Sequence, residues 1–305
     1  MSKFSASDAA FSGFRLVREN LKTVAIWAGV MTVVSILTNV AAIQFFGPQL
    51  EAFLGYMQDN NNPDPDEFFR LASALSPLTL WMLPISLIQN GVTFAALNRL
   101  VLRHDDSRMA YLRLGKDELR QAAVWLLTAL VLMGALFLGS AVTGFLGAMG
   151  GATGAFLALA GLLGSFCAVI WLAIRLSFAP AVTFDTGKIT LFKSMPQTKG
   201  LFWPLLGAYF LAAVMSIIVV LLIWTIVSAV GLIASGDFAA TGKMMRADTS
   251  SLAAYFTPAG VVQALFSGVI QVLTTLIVFA PPPSIYKELK DREAPPAPSA
   301  GNGGW

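Results

Sequence analysis

The segment RLSFAPAVTFDTGKITLFKSMPQTKGLFW, residues 175–203, decides how the rest of the chain is interpreted. It closes one long apolar segment at Arg175, crosses a short polar stretch that carries three lysines, and opens a second long apolar segment at Leu201. Two apolar segments joined by a short basic connection are typical of consecutive membrane spans. The segment therefore predicts a polytopic membrane protein.

The composition supports the same class of protein. The chain has 305 residues, of which 56% are hydrophobic and only 12% are charged, and its mean hydropathy is +0.70. Soluble domains carry about 25% charged residues, so this chain lacks the polar surface of a soluble globule. The net charge of +3 comes from basic residues that lie beside apolar segments rather than in one cluster. We interpret them as topology signals and predict no nucleic-acid partner.

Six apolar segments are each long enough to cross a bilayer, which takes about 20 helical residues. They predict an all-α, polytopic membrane helix bundle over residues 21–286, built as three hairpins. The fifth segment is longer than a bilayer core about 30 Å thick requires, so it is either tilted or partly interfacial. Pro84 predicts a kink in the second. The predicted spans are residues 21–46, 78–102, 119–145, 152–178, 201–233 and 257–280.

The sequence predicts other structures than membrane spans for the two ends of the chain. Residues 1–20 predict a cytoplasmic interfacial helix that Ser7 or Asp8 caps; the competing interpretation is a frayed tail. Three consecutive prolines, Pro281–Pro283, predict the end of the last span. Residues 287–305 are of low complexity towards their end and predict a disordered cytoplasmic tail.

Two polar connections predict short helices. Over residues 47–75 the pattern predicts two of them, with Pro48 in the first turn of one and Asp64 capping the other, where Pro65 follows. A flexible acidic loop is the alternative. In the next connection, Ser107 predicts the cap of one helical turn.

The positions of the basic residues predict the orientation. An even number of spans puts both termini on one side of the membrane, and 17 of the 20 Lys and Arg residues fall on that side. Because cytoplasmic loops carry the excess of Lys and Arg, we expect both termini to lie in the cytoplasm.

Three segments that lead into the odd-numbered spans resemble one another. They are FRLVRENLKTVAIWAG (14–29), YLRLGKDELRQAAVWLL (111–127) and FKSMPQTKGLFWPLLGAYF (192–210). Each runs from an apolar and basic turn, through a polar break, into a span with an early Trp. The similarity favours a threefold repeat of hairpins, although Trp is expected at membrane interfaces in any case.

One group of cations is a candidate binding site. Arg175 has apolar residues on both sides, and an arginine at the centre of a span costs about 2.5–3.5 kcal/mol to insert. Guanidinium suits bidentate contact with phosphate, so Arg175, Lys188, Lys193 and Lys199 predict a site for a lipid headgroup. The alternative is an arginine that reaches the interface and pairs with Asp185 or a headgroup.

Polar and small residues within the spans are a second feature. Gln89, Asn90, Gln263 and Gln271 lie in apolar segments, and their amides need partners, so we expect them to face other helices. The Gly-rich hairpin over residues 134–164 has small residues four apart, a spacing that lets helices approach closely. It predicts a contact with another membrane protein.

No catalytic motif is present in the sequence, and we predict neither enzymatic activity nor a metal or cofactor. His104, the only histidine, adjoins Asp105 and Asp106, but without a second histidine or a thiolate nearby it does not predict a metal site. The spans also carry no Asp, Glu or Lys near their centres, which argues against an ion-coupled transporter.

The centre of the chain resembles the membrane domain that accompanies some bacterial glycerophosphodiester phosphodiesterases, and similar stand-alone six-span inner-membrane proteins. The matching residues are Pro180, Asp185, Ser194 and Thr198–Gly200, with YLRLGKDELR and IYKELKD elsewhere. The resemblance implies a bacterial inner-membrane protein with a lipid-related role. It does not extend to the phosphodiesterase activity, which belongs to a separate soluble barrel with metal-binding His and carboxylate residues.

Two functions are therefore expected. The first is a non-catalytic inner-membrane protein that binds, or helps to move, lipids or other amphipathic molecules. The alternative is a structural or accessory subunit of a larger membrane complex.

Overall fold

A computed structural model describes residues 4–58, 64–236 and 251–293. Within these residues the secondary structure is helical, without strands, and six helices are long and apolar enough to cross a membrane. The predicted fold class, an all-α polytopic membrane protein, is confirmed. The chain is a multi-pass membrane protein.

Each predicted span overlaps one long helix, and shorter helices lie between the long ones. In chain order they are α1 (Ala6–Ala10), α2 (Ser12–Glu19), α3 (Leu21–Gln58), α4 (Pro65–Ala74), α5 (Ser76–Leu102), α6 (Lys116–Gly147), α7 (Gly151–Leu176), α8 (Ala179–Thr186), α9 (Ser194–Gln197), α10 (Phe202–Ser235), α11 (Leu252–Tyr255), α12 (Pro258–Phe279) and α13 (Pro281–Glu293).

Contacts divide the chain into two compact units. Of the described residues, unit 1 contains 4–13, 90–212 and 279–293, and unit 2 contains 14–58, 64–89, 213–236 and 251–278. The long helices α5 and α10 are therefore each divided, with one part in unit 1 and the other part in unit 2.

Unit 2 packs through aromatic and small residues. Phe46 of α3 meets Trp81 of α5 with ring centroids 6.4 Å apart. On α12, Gly268 lies so close to α3 that a Cβ added there would be 2.0 Å from Thr32 Oγ1. Only a residue without a side chain allows the two backbones this approach.

In unit 1, α6 and α7 form the predicted Gly-rich hairpin. A Cβ at Gly139 would lie 2.6 Å from Ser165 Cβ, and one at Gly161 would lie 3.2 Å from Thr143 Oγ1. Small residues thus bring the two helices together, as expected of such spans. Gly139 and Gly161 therefore pack against the other helix of the same hairpin.

The helix of the fourth predicted span breaks near the predicted end. We expected it to reach residue 178, but α7 ends at Leu176 and α8 begins at Ala179. The reason is Pro180, because a proline ring crowds the carbonyl four residues earlier, here that of Leu176. The short helix α8 then ends at Gly187, whose φ of 65° is in the left-handed region that favours glycine.

The last helix contradicts part of the predicted disordered tail. The span α12 ends before Pro281–Pro283, as predicted, but the same prolines open helix α13, which runs to Glu293. Proline suits a first helical turn because that turn needs no N–H partner. The prediction of disorder over residues 287–305 is wrong for 287–293, because this helix packs into the core of unit 1. Residues 294–305 lie outside the described residues.

The first span also differs from the prediction. Helix α3 continues for 38 residues through Pro48, so no separate helix begins there. At about 1.5 Å per residue, its length exceeds the thickness of a bilayer core, and its final turns extend beyond that core. The second predicted capping helix is α4, and the Asp64 side chain accepts from Asp66 N at 3.0 Å, as an N-cap does. Residues 59–63 lie outside the described residues.

The N-terminal segment contains two short helices rather than one. Ser5, and not Ser7 or Asp8, caps α1, because its hydroxyl accepts from Asp8 N at 3.3 Å. The chain turns at Phe11 and continues as α2. Residues 1–3 lie outside the described residues.

Candidate functional site

The candidate site is the connector, residues 175–201 of unit 1, which joins α7 to α10. Its first anchor is Ser194, which is fully buried. The Ser194 hydroxyl donates to the Arg175 carbonyl at 2.7 Å and accepts from Phe178 N at 3.1 Å. One side chain thereby satisfies backbone groups on both sides of the α7–α8 break.

Thr198 is the second anchor and is also fully buried. Its hydroxyl lies 3.0 Å from the Ser194 carbonyl and 3.3 Å from the Arg175 carbonyl. Lys193 and Lys199 directly adjoin the two anchors in sequence. Both lysines are therefore held next to the backbone of Arg175.

The Arg175 side chain has no counter-ion among the described residues. Its guanidinium carbon lies 5.8 Å from the centre of the Trp171 ring, and its Nε is buried without a hydrogen-bond partner in the described part of the chain. The alternative that paired Arg175 with Asp185 is wrong. Asp185 instead accepts from Tyr286 Oη at 2.8 Å and Lys290 Nζ at 2.7 Å.

The three lysines of the predicted site are exposed. Within residues 4–58, 64–236 and 251–293, none of them forms an ion pair. Lys188 is separated from Arg175 by the whole of α8, about 12 Å of helix. The structure thus holds the backbone beside Lys193 and Lys199 close to that of Arg175, and places Lys188 at the other end of α8.

Two apolar side chains of the connector are exposed between these lysines. Ile189 is 50% exposed and Phe192 is 60% exposed. Apolar side chains interspersed with cations suit the boundary between acyl chains and headgroups. The connector therefore has the character of a membrane-interface segment.

A second cluster of charges in unit 1 was missed by sequence reasoning, which treated Arg99 only as a topology signal. We call it the Arg99 cluster: Arg99, Asp106, Tyr111, Asp117 and Glu118. Arg99 is 3% exposed, and it donates to Glu118 Oε1 at 2.7 Å and to the Tyr111 carbonyl at 2.6 Å. Asp117 and Asp106 lie 3.7 and 3.9 Å from its guanidinium nitrogens.

The Arg99 cluster holds a strained turn. The predicted turn lies at Arg108–Tyr111, but Met109, Ala110 and Tyr111 have φ values of 51°, 51° and 66°, and Ser107 makes no capping bond. A left-handed non-glycine residue costs roughly 1–2 kcal/mol. The hydrogen bond from Arg99 to the Tyr111 carbonyl is one of the contacts that offset this cost.

Asp106 lies between two spans and has a second partner besides Arg99. Arg113 donates to both of its carboxylate oxygens, at 2.8 Å for the bond from Nη1. This hydrogen bond lowers the pKa of Asp106 below the ordinary carboxylate value, since it stabilises the charged form.

The four predicted intramembrane amides have different environments. In unit 2, Gln89 donates to Met31 Sδ at 3.5 Å, which joins α5 to α3. Gln263 lines an apolar cavity of about 340 Å³ between α10 and α12, whereas Gln271 on the same helix is exposed. Asn90 is half-buried in unit 1. Of the three amides in unit 2, only Gln263 lines this cavity.

Four of the residues that carry the family resemblance, Pro180, Asp185, Ser194 and Thr198, make hydrogen bonds to other parts of unit 1. The Pro180 carbonyl accepts from Gln121 Nε2 at 2.9 Å, and Gly200 has a φ of 77°. Asp185, Ser194 and Thr198 make the bonds given above. Within the described residues, no group of three or more His, Cys, Asp and Glu side chains is placed to hold a metal ion.

No family model, curated protein or solved structure matches this chain. The resemblance to the membrane domain of glycerophosphodiester phosphodiesterases therefore stays a prediction.

Proposed function

We propose that this chain is a non-catalytic protein of the bacterial inner membrane that binds, or helps to move, lipids with an anionic headgroup, and that the connector is the headgroup site. One observation carries the proposal. Ser194 and Thr198, the sequence neighbours of Lys193 and Lys199, bond to the Arg175 carbonyl. None of the three cations, Arg175, Lys193 and Lys199, has a carboxylate partner among the described residues.

Phosphate chemistry fits this group of cations. Guanidinium offers several donors in a plane that matches phosphate oxygens, and lysine adds charge on a flexible stem. The buried Nε–H of Arg175 is a donor available for such an oxygen. A buried donor without a partner is costly, so a ligand that accepts from it is stabilised.

The expected orientation supports the same ligand. With 17 of 20 basic residues on the side of both termini, the connector faces the cytoplasmic leaflet, where anionic lipids attract basic segments. A tag at each terminus tests this. Both tags should survive protease added outside intact spheroplasts, and digestion of either one contradicts the orientation.

Lipid retention tests the function. The full chain is purified in mild detergent, and its retained lipids are measured by mass spectrometry after exchange with defined phosphatidylglycerol. Arg175→Gln with Lys199→Gln should lower the retained phosphatidylglycerol, while Arg70→Gln should not. Arg70 is a matched control because Glu67 already pairs with it at 2.6 Å. Equal retention in all three proteins contradicts the proposal.

An accessory role in a larger complex is the second candidate, and the α6–α7 hairpin favours it. The hairpin presents large apolar side chains outward, such as Phe137 and Phe145. A Cβ at Gly134, Gly144 or Gly164 would meet no atom within 4 Å. Such outward glycines allow a further helix to approach. Gly144→Leu should then release a co-purifying partner, and a monomer in gentle detergent contradicts this role.

A further inference from the structure

A small cavity in unit 1 lies where two broken helices meet α5. Its volume is about 30 Å³. It is lined by residues at positions i, i+3 and i+4 of three segments: Phe94–Asn98 in α5, Ser177–Ala181 across the α7–α8 break, and Phe279–Pro283 across the α12–α13 break. Asn98 and Ser177 are the polar side chains among the lining residues.

Asn98 has a buried acceptor that the protein leaves unused. The residue is 1% exposed, and its Nδ2 donates to the Phe94 carbonyl at 2.8 Å. That bond fixes which end of the amide is the nitrogen. The same Nδ2 lies 3.5 Å from Gln121 Oε1, and Gln121 in turn donates to the Pro180 carbonyl. Asn98 Oδ1 is buried and has no hydrogen-bond partner among the described residues.

We infer that this cavity binds one structural water molecule that donates to Asn98 Oδ1. A water requires roughly 10–15 Å³ of such space and at least two polar partners, and both conditions are met here. Ser177 Oγ supplies the second partner. It donates to the Ile174 carbonyl and accepts from Tyr209 Oη, each at 2.8 Å, so one of its two lone pairs remains.

The chemistry of the lining favours water over a cation. Every side chain around the cavity is uncharged, so an ion would be buried without a counter-charge, which is far more costly than burying water. Membrane helices interrupted by proline commonly rely on neighbouring side chains and ordered waters to satisfy their backbones. The water bridges Asn98 of α5 and Ser177 at the α7–α8 break. Because Ser177 is two residues after Arg175, this water lies at the start of the connector.

Hydroxyl-radical footprinting of the full chain in lipid nanodiscs tests this site, because synchrotron radiolysis labels side chains next to bound water. After correction for the intrinsic reactivity of each residue type, labelling at Pro283, a buried residue of the lining, should exceed that of Phe184, which is 1% exposed and is not a lining residue. In Asn98→Leu, which removes the acceptor and fills the space, labelling should fall to the level of Phe184.

Two further variants keep the test decisive. Ser177→Ala removes the second partner and should also lower labelling, so the inference does not depend on the folding of one variant. Thr128→Val should leave labelling unchanged, because the Thr128 hydroxyl bonds only within its own helix, to the Val124 carbonyl. Wild-type labelling no higher than that of Phe184 overturns the inference. Labelling that changes when sodium is replaced by N-methylglucamine also overturns it, in favour of a bound cation.

Discussion

The Arg99 cluster and the connector both place an arginine at the end of a membrane-spanning helix, and they differ in what surrounds it. Arg99 is almost completely buried and has three carboxylates within 4 Å. Arg175 is half-buried and has none among the described residues, and the lysines beside it are exposed.

This difference separates two uses of positive charge in one unit. A buried charge is tolerated when the protein supplies its counter-charge, and such a cluster then fixes the local backbone. Cations at the interface without an internal counter-charge remain available for an external anion.

Removing the buried charge should have the largest effect on stability. We expect Arg99→Ala to lower the free energy of unfolding by about 3–5 kcal/mol, because Glu118 would be left buried and unpaired. Thermal unfolding in detergent measures the change, and Arg175→Ala is the matched control. Similar losses in both variants would remove the distinction between the two regions.

A double variant tests whether the unpaired buried charge causes this loss of stability. Arg99→Leu combined with Glu118→Leu should recover much of the stability, since neither charge then remains buried alone. If the double variant is as unstable as Arg99→Ala, the support of the Tyr111 turn matters more than the charge pair.

The next largest effect should come from the connector's own anchor. Ser194→Ala removes two hydrogen bonds and leaves the buried Phe178 N–H without its partner, so we expect a loss of about 1–3 kcal/mol. Retention of anionic lipid should fall as well. Ser73→Ala, which removes an exposed hydroxyl on α4, should change neither quantity in the same assays.

Salt should separate the two regions without any substitution. Screening lengths fall from about 10 Å at 0.1 M salt to about 3 Å at 1 M, and buried pairs are screened much less than exposed charges. Retention of phosphatidylglycerol should therefore decline across this range, while the destabilisation caused by Arg99→Ala should stay nearly constant. Retention of phosphatidylglycerol that does not change with salt concentration would contradict an electrostatic site at the connector.

The smallest effect concerns pH and Asp106. Its pKa is lowered in the folded protein, so its contribution to stability is complete above the ordinary carboxylate pKa of about 3.9 and is lost as the pH falls through the lower folded value. Asp106→Asn should therefore be less stable than the wild type at pH 6, and the gap should narrow below pH 4. A constant gap would show that charge is not its cause.

Periodicity and hydropathy are sufficient to predict the spans, because a membrane helix is specified by local composition. Proline is harder to interpret from sequence. Pro180 and Pro281–Pro283 end one helix and open the next, whereas Pro48 lies within continuous α3. The helices that contain Pro180 and Pro281–Pro283 contribute buried side chains to the core of unit 1, whereas the described residues after Pro48 in α3 are exposed or half-buried.

A Phe-Ala pair recurs in the sequence close to the residues that line the cavity. The second span of each hairpin contains a Phe-Ala pair, at Phe94, Phe178 and Phe279, and each of the three alanines that follow is fully buried. These pairs lie in or beside the segments that line the cavity. They extend the threefold similarity from the first span of each hairpin to the second.

Apolar length and small-residue spacing are properties of consecutive residues, so the amino-acid sequence is enough to predict the membrane class, six spans and the Gly-rich hairpin. Which charges have partners depends instead on how distant segments pack. Ser194 and Thr198 reach a carbonyl 19 and 23 residues away, and Lys290 reaches Asp185 across 105 residues. Hydrogen bonds and ion pairs act over a few ångströms, and separation along the chain does not reveal such distances.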